Sequence, residues 1–448
     1  PKKQQPKRTR EGTSWSTIEP SLAARNTKNL IEVIRPIPLI PRPMLSLSIG
    51  DPTLDGNLLP PTNAIAAIQK AVGSAKFNGY LQSHGCLAGR QAVATYWSTH
   101  FTPTTKQSFS ADHVILTCGD SHALQLAIVA LCNAGDIILL PQPGFSLYDA
   151  IAKNRGVSSV FYPCIAEHQW EADLAALEAL YVKHGLKVKA FLMTNPSNPC
   201  GSNFSRAHVR ALLSLADRFR VPVIADEIYA GMVFPTTDAA TGAVASFVSV
   251  ADIPEAHNVP RIICGGISKN YVAPGWRLGW CLRCDPSNFL ESVWPTIVNC
   301  SQLVLGPFAP VQAALPEILQ GTDPTYTATL NATLQQHAEV CAAAFDAVPC
   351  LTPVRPQGAM YMMVQIDFAK MKRSDITDDV LFAQKLLSEV AVGVLPGTIF
   401  GAPGFFRIVF TKPVEQLRDA VLRVAEFCAS TSPITYPPAT PTSSSSSA

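Results

Sequence analysis

Four apolar, strand-like runs of this chain each end in residues that can do chemistry. Residues 188–194 run into Asn195-Pro-Ser-Asn198-Pro-Cys-Gly201, a turn-forming segment with a side-chain amide to donate. Residues 221–225 run into Asp226-Glu-Ile-Tyr229, and residues 261–265 into Ser268-Lys269 and then Pro274-Gly-Trp-Arg277-Leu-Gly. Residues 113–117 lead to Cys118-Gly119-Asp120-Ser121, which opens a helical pattern whose first amides are placed to hold an anion. Asp226 follows Asn198 by 28 residues, the length of one strand–helix–strand unit, so the two are expected side by side. One edge of a sheet would then collect an amide, a carboxylate, a phenol, a lysine, an arginine and a helix N-terminus.

Those groups suit a phosphorylated, protonatable heteroaromatic aldehyde. The amine forms an imine with the aldehyde, the carboxylate partners the ring nitrogen, and the arginine with the helix terminus takes the phosphate. Pyridoxal 5′-phosphate has these needs. Taken singly, each residue has an ordinary alternative. Lys269 reads equally as a surface lysine, Asp226 and Ser121 as helix caps, Arg277 as an ion-pair partner, and Phe145 and Tyr229 as core aromatics.

The elements that must position these residues alternate along the chain. Strand patterns at 113–117, 136–140, 157–162, 188–194, 221–225 and 261–265 are separated by helical patterns at 121–132, 146–153, 173–184 and 205–219. Such alternation demands parallel pairing with helices on both faces, an α/β fold. Ligands of these sheets sit at the carboxyl ends of the strands. After about residue 316 the pattern changes to a long helix (327–347), a half-buried strand (358–366), a helix (378–388), short strands near 392–395 and 405–410, and a last helix (414–429). The expected organisation is a flexible basic tail over 1–29, and an arm contributing to a small domain over 30–75. A large α/β domain over 76–315, a small α+β domain over 316–430 and a disordered Ser/Pro-rich tail over 431–448 complete it.

Composition excludes several classes. Of 448 residues, 47% are hydrophobic and 15% charged, so the chain is neither mainly disordered nor a coiled coil. A net charge of +2 does not drive capture of nucleic acid, and the longest apolar stretch, near Leu126, is far short of the roughly 20 residues of a membrane span. The 12 cysteines lie among apolar neighbours and no secretory apolar core is evident, so free thiols and a cytoplasmic location are expected, with a mitochondrial fraction as the alternative for the basic tail. Cys281-Leu-Arg-Cys284 has redox or half-zinc spacing, but strand alternation would put its thiols on opposite faces. No metal site is expected.

The motifs Asn198-Pro-Cys-Gly, Ala225-Asp-Glu-Ile-Tyr229, Ser268-Lys269 and Pro274-Gly-Trp-Arg277-Leu-Gly resemble the class I aminotransferases of the fold-type I pyridoxal-phosphate enzymes. Gly50-Asp-Pro-Thr53, Asn78-Gly-Tyr80, Pro143-Gly-Phe-Ser-Leu-Tyr148 and Gly358-Ala-Met-Tyr-Met-Met363 extend the likeness over roughly residues 30 to 430 and toward the branch acting on aromatic amino acids. The resemblance implies a mostly parallel seven-stranded sheet and a homodimer with active sites at the subunit interface. It implies pyridoxal 5′-phosphate as cofactor, with Lys269 forming the imine and then moving the α-proton. Asp226 would keep the ring nitrogen protonated, and Tyr229 and Asn198 would bond the ring's phenolate oxygen. Phe145 would stack on the ring. Gly119, Asp120, Ser121 and Arg277 would bind the phosphate, with Tyr80 reaching in from the other subunit. Arg407 would clamp the substrate α-carboxylate, and Gly50 and Asn198 would line the substrate pocket.

Two departures from the family pattern bear on this. Gly266 stands where many class I enzymes have a phosphate-binding hydroxyl, three residues before the lysine. Asp120 brings a carboxylate to the presumed phosphate, and unless it turns away to cap the helix it should weaken cofactor binding. Aspartate-selective relatives use a partner-subunit arginine that the matching stretch, Gln302-Leu-Val-Leu-Gly306-Pro307, does not contain. The expected donors are therefore tyrosine, phenylalanine and methionine, and the acceptor 2-oxoglutarate or pyruvate. A carbon–sulfur lyase or an aminocyclopropane-carboxylate-synthase-like lyase on the same fold is the alternative.

Overall fold

Val188–Thr194 shows how the central sheet is buried: every side chain of this strand except Lys189 is sealed from solvent, as expected of a parallel strand covered on both faces. The computed structural model describes residues 40–236 and 244–435, with residues 20, 21, 24 and 25. The expected basic tail, apart from those four residues, and the last 13 residues of the Ser/Pro-rich tail lie outside them.

Leu45–Ser46 is β1. The large sheet consists of β2 (Val114–Thr117), β3 (Ile137–Gln142), β4 (Ser158–Ile165), β5 (Glu171–Ala172), β6 (Val188–Thr194), β7 (Val223–Asp226), β8 (Arg261–Gly266) and β9 (Gly279–Cys284). Its order is β2-β9-β8-β7-β6-β3-β4-β5. Seven of these strands have four or more residues, and β5 adds a two-residue antiparallel edge to the expected seven. The pairs β3–β4, β3–β6, β6–β7 and β7–β8 are parallel, whereas β9 lies antiparallel between β2 and β8. The register aligns Thr194 with Asp226 and Asp226 with Cys264, so the segments after β6, β7 and β8 leave the same edge of the sheet.

Helices cover both faces. Their starts follow local chemistry: Asp173 accepts from Ala176 N and caps Leu174–His184, and Ser205 accepts from His208 N and caps Arg206–Phe219. One core joins Leu212, Phe191 and Leu282 on one side of the sheet, and another joins Ile128, Leu192 and Cys264 on the other. Cys284 belongs to the first and Cys281 to the second, so the C-x-x-C thiols do stand on opposite faces.

The second sheet is antiparallel, formed by β10 (Leu351–Val354), β11 (Tyr361–Ile366), β13 (Leu395–Pro396) and β14 (Phe405–Val409) in the order β10-β11-β14-β13. The helices Pro324–Asp346, Asp379–Val390 and Val414–Ala429 bury Phe345, Phe382 and Phe427 against it. The chain before the large sheet is sewn to this unit: β1 pairs in parallel with β12 (Val392–Gly393), and Leu47 bonds Gly393 and Val409 through its backbone. β11 begins three residues later than expected because 358–360 leave the strand to meet the segment after β7, with Gly358 bridged to Val233. Among the described residues no helix is long and apolar enough to cross a membrane.

Candidate active site

A cavity of about 560 Å³ opens where the carboxyl edge of the large sheet meets the second sheet. Lys269, Asp226, Tyr229, Asn198, Phe145, Asp120, Ser121, Arg277, Arg407 and Gly50 all line it. Gly119 lies directly behind this wall as the N-cap of the helix Asp120–Leu131. Tyr80 is different: its side chain is 91% exposed on the surface and does not reach this cavity within its own chain.

One end of the cavity is built for an anion. Arg277 Nη2 lies 3.2 Å from both Ser121 Oγ and the Cys118 carbonyl, beside the first turn of the helix Asp120–Leu131. No side chain caps that helix, so its first amides and its dipole face the same place. Gly119 has φ +77°, and a Cβ there would come within 2.5 Å of Arg277 Nη2; only glycine leaves the guanidinium room.

At the floor, Asp226 ends β7, almost fully buried. Its Oδ2 accepts from the Tyr148 hydroxyl at 2.6 Å and its Oδ1 from Ile228 N at 3.2 Å. Burial raises the Asp226 carboxyl above the usual range, while the Tyr148, Ile228 and Asp120 bonds and the Lys269 charge pull it back down. Tyr148 received no role in the sequence, although it closes the quoted Pro143–Tyr148 motif. Its function emerges only when the helix Leu147–Asn154 lays the phenol against β7.

Asp120 departs from both sequence expectations. It neither caps its helix nor points at the anion end; its carboxyl turns inward to within hydrogen-bonding reach of Asp226. The reason is local geometry: as the first residue after the Gly119 turn, its side chain projects back under the sheet edge where β7 ends. Burial, and then the Asp226 charge, raise its carboxyl well above the ordinary range.

Lys269 Nζ donates to the Gly50 carbonyl at 2.6 Å, so the segment after β1 carries one wall of the site. The Tyr229 and Tyr361 hydroxyls lie 2.6 Å apart, and burial, then Tyr361, push the Tyr229 phenol well up. Tyr361, inside the quoted Gly358–Met363 motif, was not singled out from the sequence. Phe145 forms part of the wall, packed edge-on against Tyr148 at 5.8 Å.

Arg407, in the middle of β14, is buried. Its guanidinium lies 4.7 Å from the Tyr361 ring centroid and 4.8 Å from that of Phe400, donates to Asn198 Oδ1 at 2.9 Å and bonds the Ser48 carbonyl. Its Nε is buried without a partner. A cation of this kind lowers its cost by binding a carboxylate.

Amine, carboxylate, phenol, anion cradle and second guanidinium therefore converge, and a phosphorylated pyridine aldehyde fits the donor set. Fold and site together are those of a fold-type I aminotransferase. The family model "Aminotransferase class I and II" matches residues 42–424. Tyrosine aminotransferase of Mus musculus is 39% identical over 92% of this chain and 88% of its own, and that of Dictyostelium discoideum is 37% identical over 92% and 96%. The crystal structure of tyrosine aminotransferase from Leishmania infantum superposes with a TM-score of 0.86 at 37% identity, covering 93% of this chain and 99% of that one. The chain belongs to the class I and II aminotransferase family and is an aminotransferase.

Proposed function

We propose that this enzyme transfers the amino group of tyrosine, and also of phenylalanine and methionine, to a 2-oxo acid, 2-oxoglutarate or pyruvate. The observation that carries this reading is the meeting of Lys269, Asp226 and Arg277 with Arg407 in one cavity. The relatives named tyrosine aminotransferase support the choice of donor.

Pyridoxal 5′-phosphate, when bound, supplies an aldehyde that exchanges amines and a protonated ring that accepts the electron pair left at the donor's Cα. Arg277, Ser121 and the first amides of the helix Asp120–Leu131 hold its phosphate. Asp226 holds the proton at the ring nitrogen, and Tyr229 with Asn198 donate to the ring's oxygen. Lys269 Nζ would be the base that takes the proton from the donor's Cα. Arg407 orients the substrate α-carboxylate so that this proton faces Lys269.

The donor's side chain extends along Ile49, Leu147, Leu395, Ile399 and Phe400. Among the described residues lining the cavity the cations are Lys269, Arg277 and Arg407, each with a task, so a second substrate carboxylate finds no fixed partner in this chain. Neutral, aromatic or thioether side chains fit that wall.

The working form in this reading is a homodimer. Leu303, Val304, Leu305 and Phe308 are exposed together, and Ser301 Oγ bonds Ser83 Oγ close to exposed Tyr80. An apolar surface of this kind is covered by a second copy, whose Tyr80 then completes the phosphate site.

The test is an absorbance spectrum of the purified enzyme, repeated with L-tyrosine and no oxo acid. The reading requires the visible band to give way to the near-ultraviolet band of the amine form and to return with 2-oxoglutarate or pyruvate. A persistent band, with ammonia and an oxo acid accumulating from a sulfur amino acid, would instead identify a lyase.

A further inference from the structure

Asp120 and Asp226 form a pair of carboxyls at the cavity floor, and the activity above gives the Asp120 side chain no task. Asp120 Oδ1 is sealed from solvent with no donor facing it, although the residue as a whole is only part-buried. The Asp226 oxygens are served by Tyr148 and Ile228. Other titratable or charged groups near the pair are Lys269, Cys264 and Cys281, with Tyr229 and Glu227 on the Asp226 side. Lys269 Nζ is engaged with the Gly50 carbonyl, and Cys281 Sγ donates to the Ala123 carbonyl at 3.4 Å.

Two sealed carboxylates in contact cannot both ionise without a cation between them. A proton placed between them turns an unpartnered oxygen and a repulsion into a charge-assisted hydrogen bond. Its location follows from the donors. Asp226 already accepts two bonds that favour its anion, whereas Asp120 has none, so the proton belongs on Asp120.

We propose that Asp120 is a positioning residue: a neutral carboxylic acid that donates a third hydrogen bond to the Asp226 carboxylate and so weakens the grip of Asp226 on the proton of the cofactor's ring nitrogen. A third donor spreads the Asp226 charge and lowers its basicity. Without it, Asp226 holds the ring proton more tightly. This inference rests on the cofactor reading above, but its first half concerns the protein alone.

The experiment has two parts. Difference infrared spectra of the intact chain, wild type against Asp120→Asn, are recorded at neutral pH with and without added pyridoxal 5′-phosphate. The expected result is loss of a protonated carboxylic acid carbonyl band in the variant. Loss of carboxylate bands instead would place the charge on Asp120 and overturn the proposal. The second part follows nitrogen-15 resonance of ring-labelled cofactor bound to wild type, Asp120→Asn and Asp120→Ala. The amide of Asp120→Asn still donates to Asp226 and should keep the wild-type shift, while in Asp120→Ala the more basic Asp226 draws the proton to itself and the shift should move toward weaker ring protonation. Identical shifts in all three, with the alanine variant merely less stable to heat, would reduce Asp120 to packing and overturn the tuning role. If the cofactor reading itself failed, wild type would not bind the labelled cofactor, and the infrared result would still stand or fall alone.

Discussion

Arg407 on β14 of the second sheet donates to Asn198 Oδ1, which lies just beyond β6 of the large sheet, at 2.9 Å. The bond uses the acceptor end of the Asn198 amide and leaves its nitrogen to donate into the cavity. Substrate clamp and ring contact are thereby coupled across the two sheets, so a change at one residue is felt at the other.

Arg407→Lys should show this coupling. A lysine cannot bond Asn198, the Ser48 carbonyl and a carboxylate together, nor stack between Tyr361 and Phe400. Losing a buried, hydrogen-bonded charge contact costs about 2–5 kcal/mol. Steady-state kinetics should show kcat/KM reduced by roughly two to three orders of magnitude for both amino donor and oxo acceptor. An effect on the donor alone would contradict a shared carboxylate clamp.

Gly50 and Tyr361 should behave as a pair. A Cβ on Gly50 would lie 2.5 Å from the Tyr361 hydroxyl, and the Gly50 carbonyl holds Lys269. Gly50→Ala therefore displaces the base, and about a hundredfold loss in kcat/KM is expected for a shift of that size. Tyr361→Phe removes the clashing oxygen and should recover part of the loss, with a coupling energy of about 1 kcal/mol in the double-mutant cycle. Strict additivity of the two changes would refute the contact.

At the anion end the informative change is Gly119→Ala. It imposes a side chain at φ +77° and pushes against Arg277. Cofactor affinity, measured by equilibrium dialysis with pyridoxal 5′-phosphate, should fall at least about tenfold. Thermal stability should drop too, by about 1–3 kcal/mol for the strained backbone.

Glu227 predicts a pH dependence of stability away from the chemistry. It is buried behind Asp226, accepts from Ser249 Oγ at 2.7 Å and Val250 N at 2.8 Å, and burial raises its carboxyl from 4.5 to about 8. The folded protein thus binds a proton there that the unfolded chain releases above about pH 4.5. This contribution is fully present below pH 4.5 and is lost as pH rises toward 8, at up to about 1.4 kcal/mol per pH unit. Denaturant midpoints between pH 5 and 8 should fall for wild type and flatten in Glu227→Gln. Equal slopes would show that Glu227 is ionised in the fold.

Local signals carried much of this protein. The strand at 188–194 is legible because its apolar run is continuous and a turn follows it. The helices after Asp173 and Ser205 are legible because their caps are written in the residues themselves. The spacing of Asn198, Asp226 and Lys269 already placed them along one edge, since parallel strands joined by single helices bring their ends together. Less visible were β9, whose antiparallel place between β2 and β8 depends on partners far along the chain, and the helices Thr62–Gly73 and Leu87–His100, whose apolar faces make sense only against the helix Ala309–Gly321.

By itself, then, the sequence determined which groups exist and on which edge they gather, because those follow from short-range pattern and strand–helix length. The tertiary structure decided where side chains point and with whom they share protons. The turn at Gly119 sends Asp120 inward to Asp226 rather than toward the anion, Tyr148 reaches β7 from a helix, and Tyr361 meets Tyr229 across two sheets. These contacts join residues up to 132 positions apart, and only packing selects among the rotamers and loop paths that each residue could locally adopt.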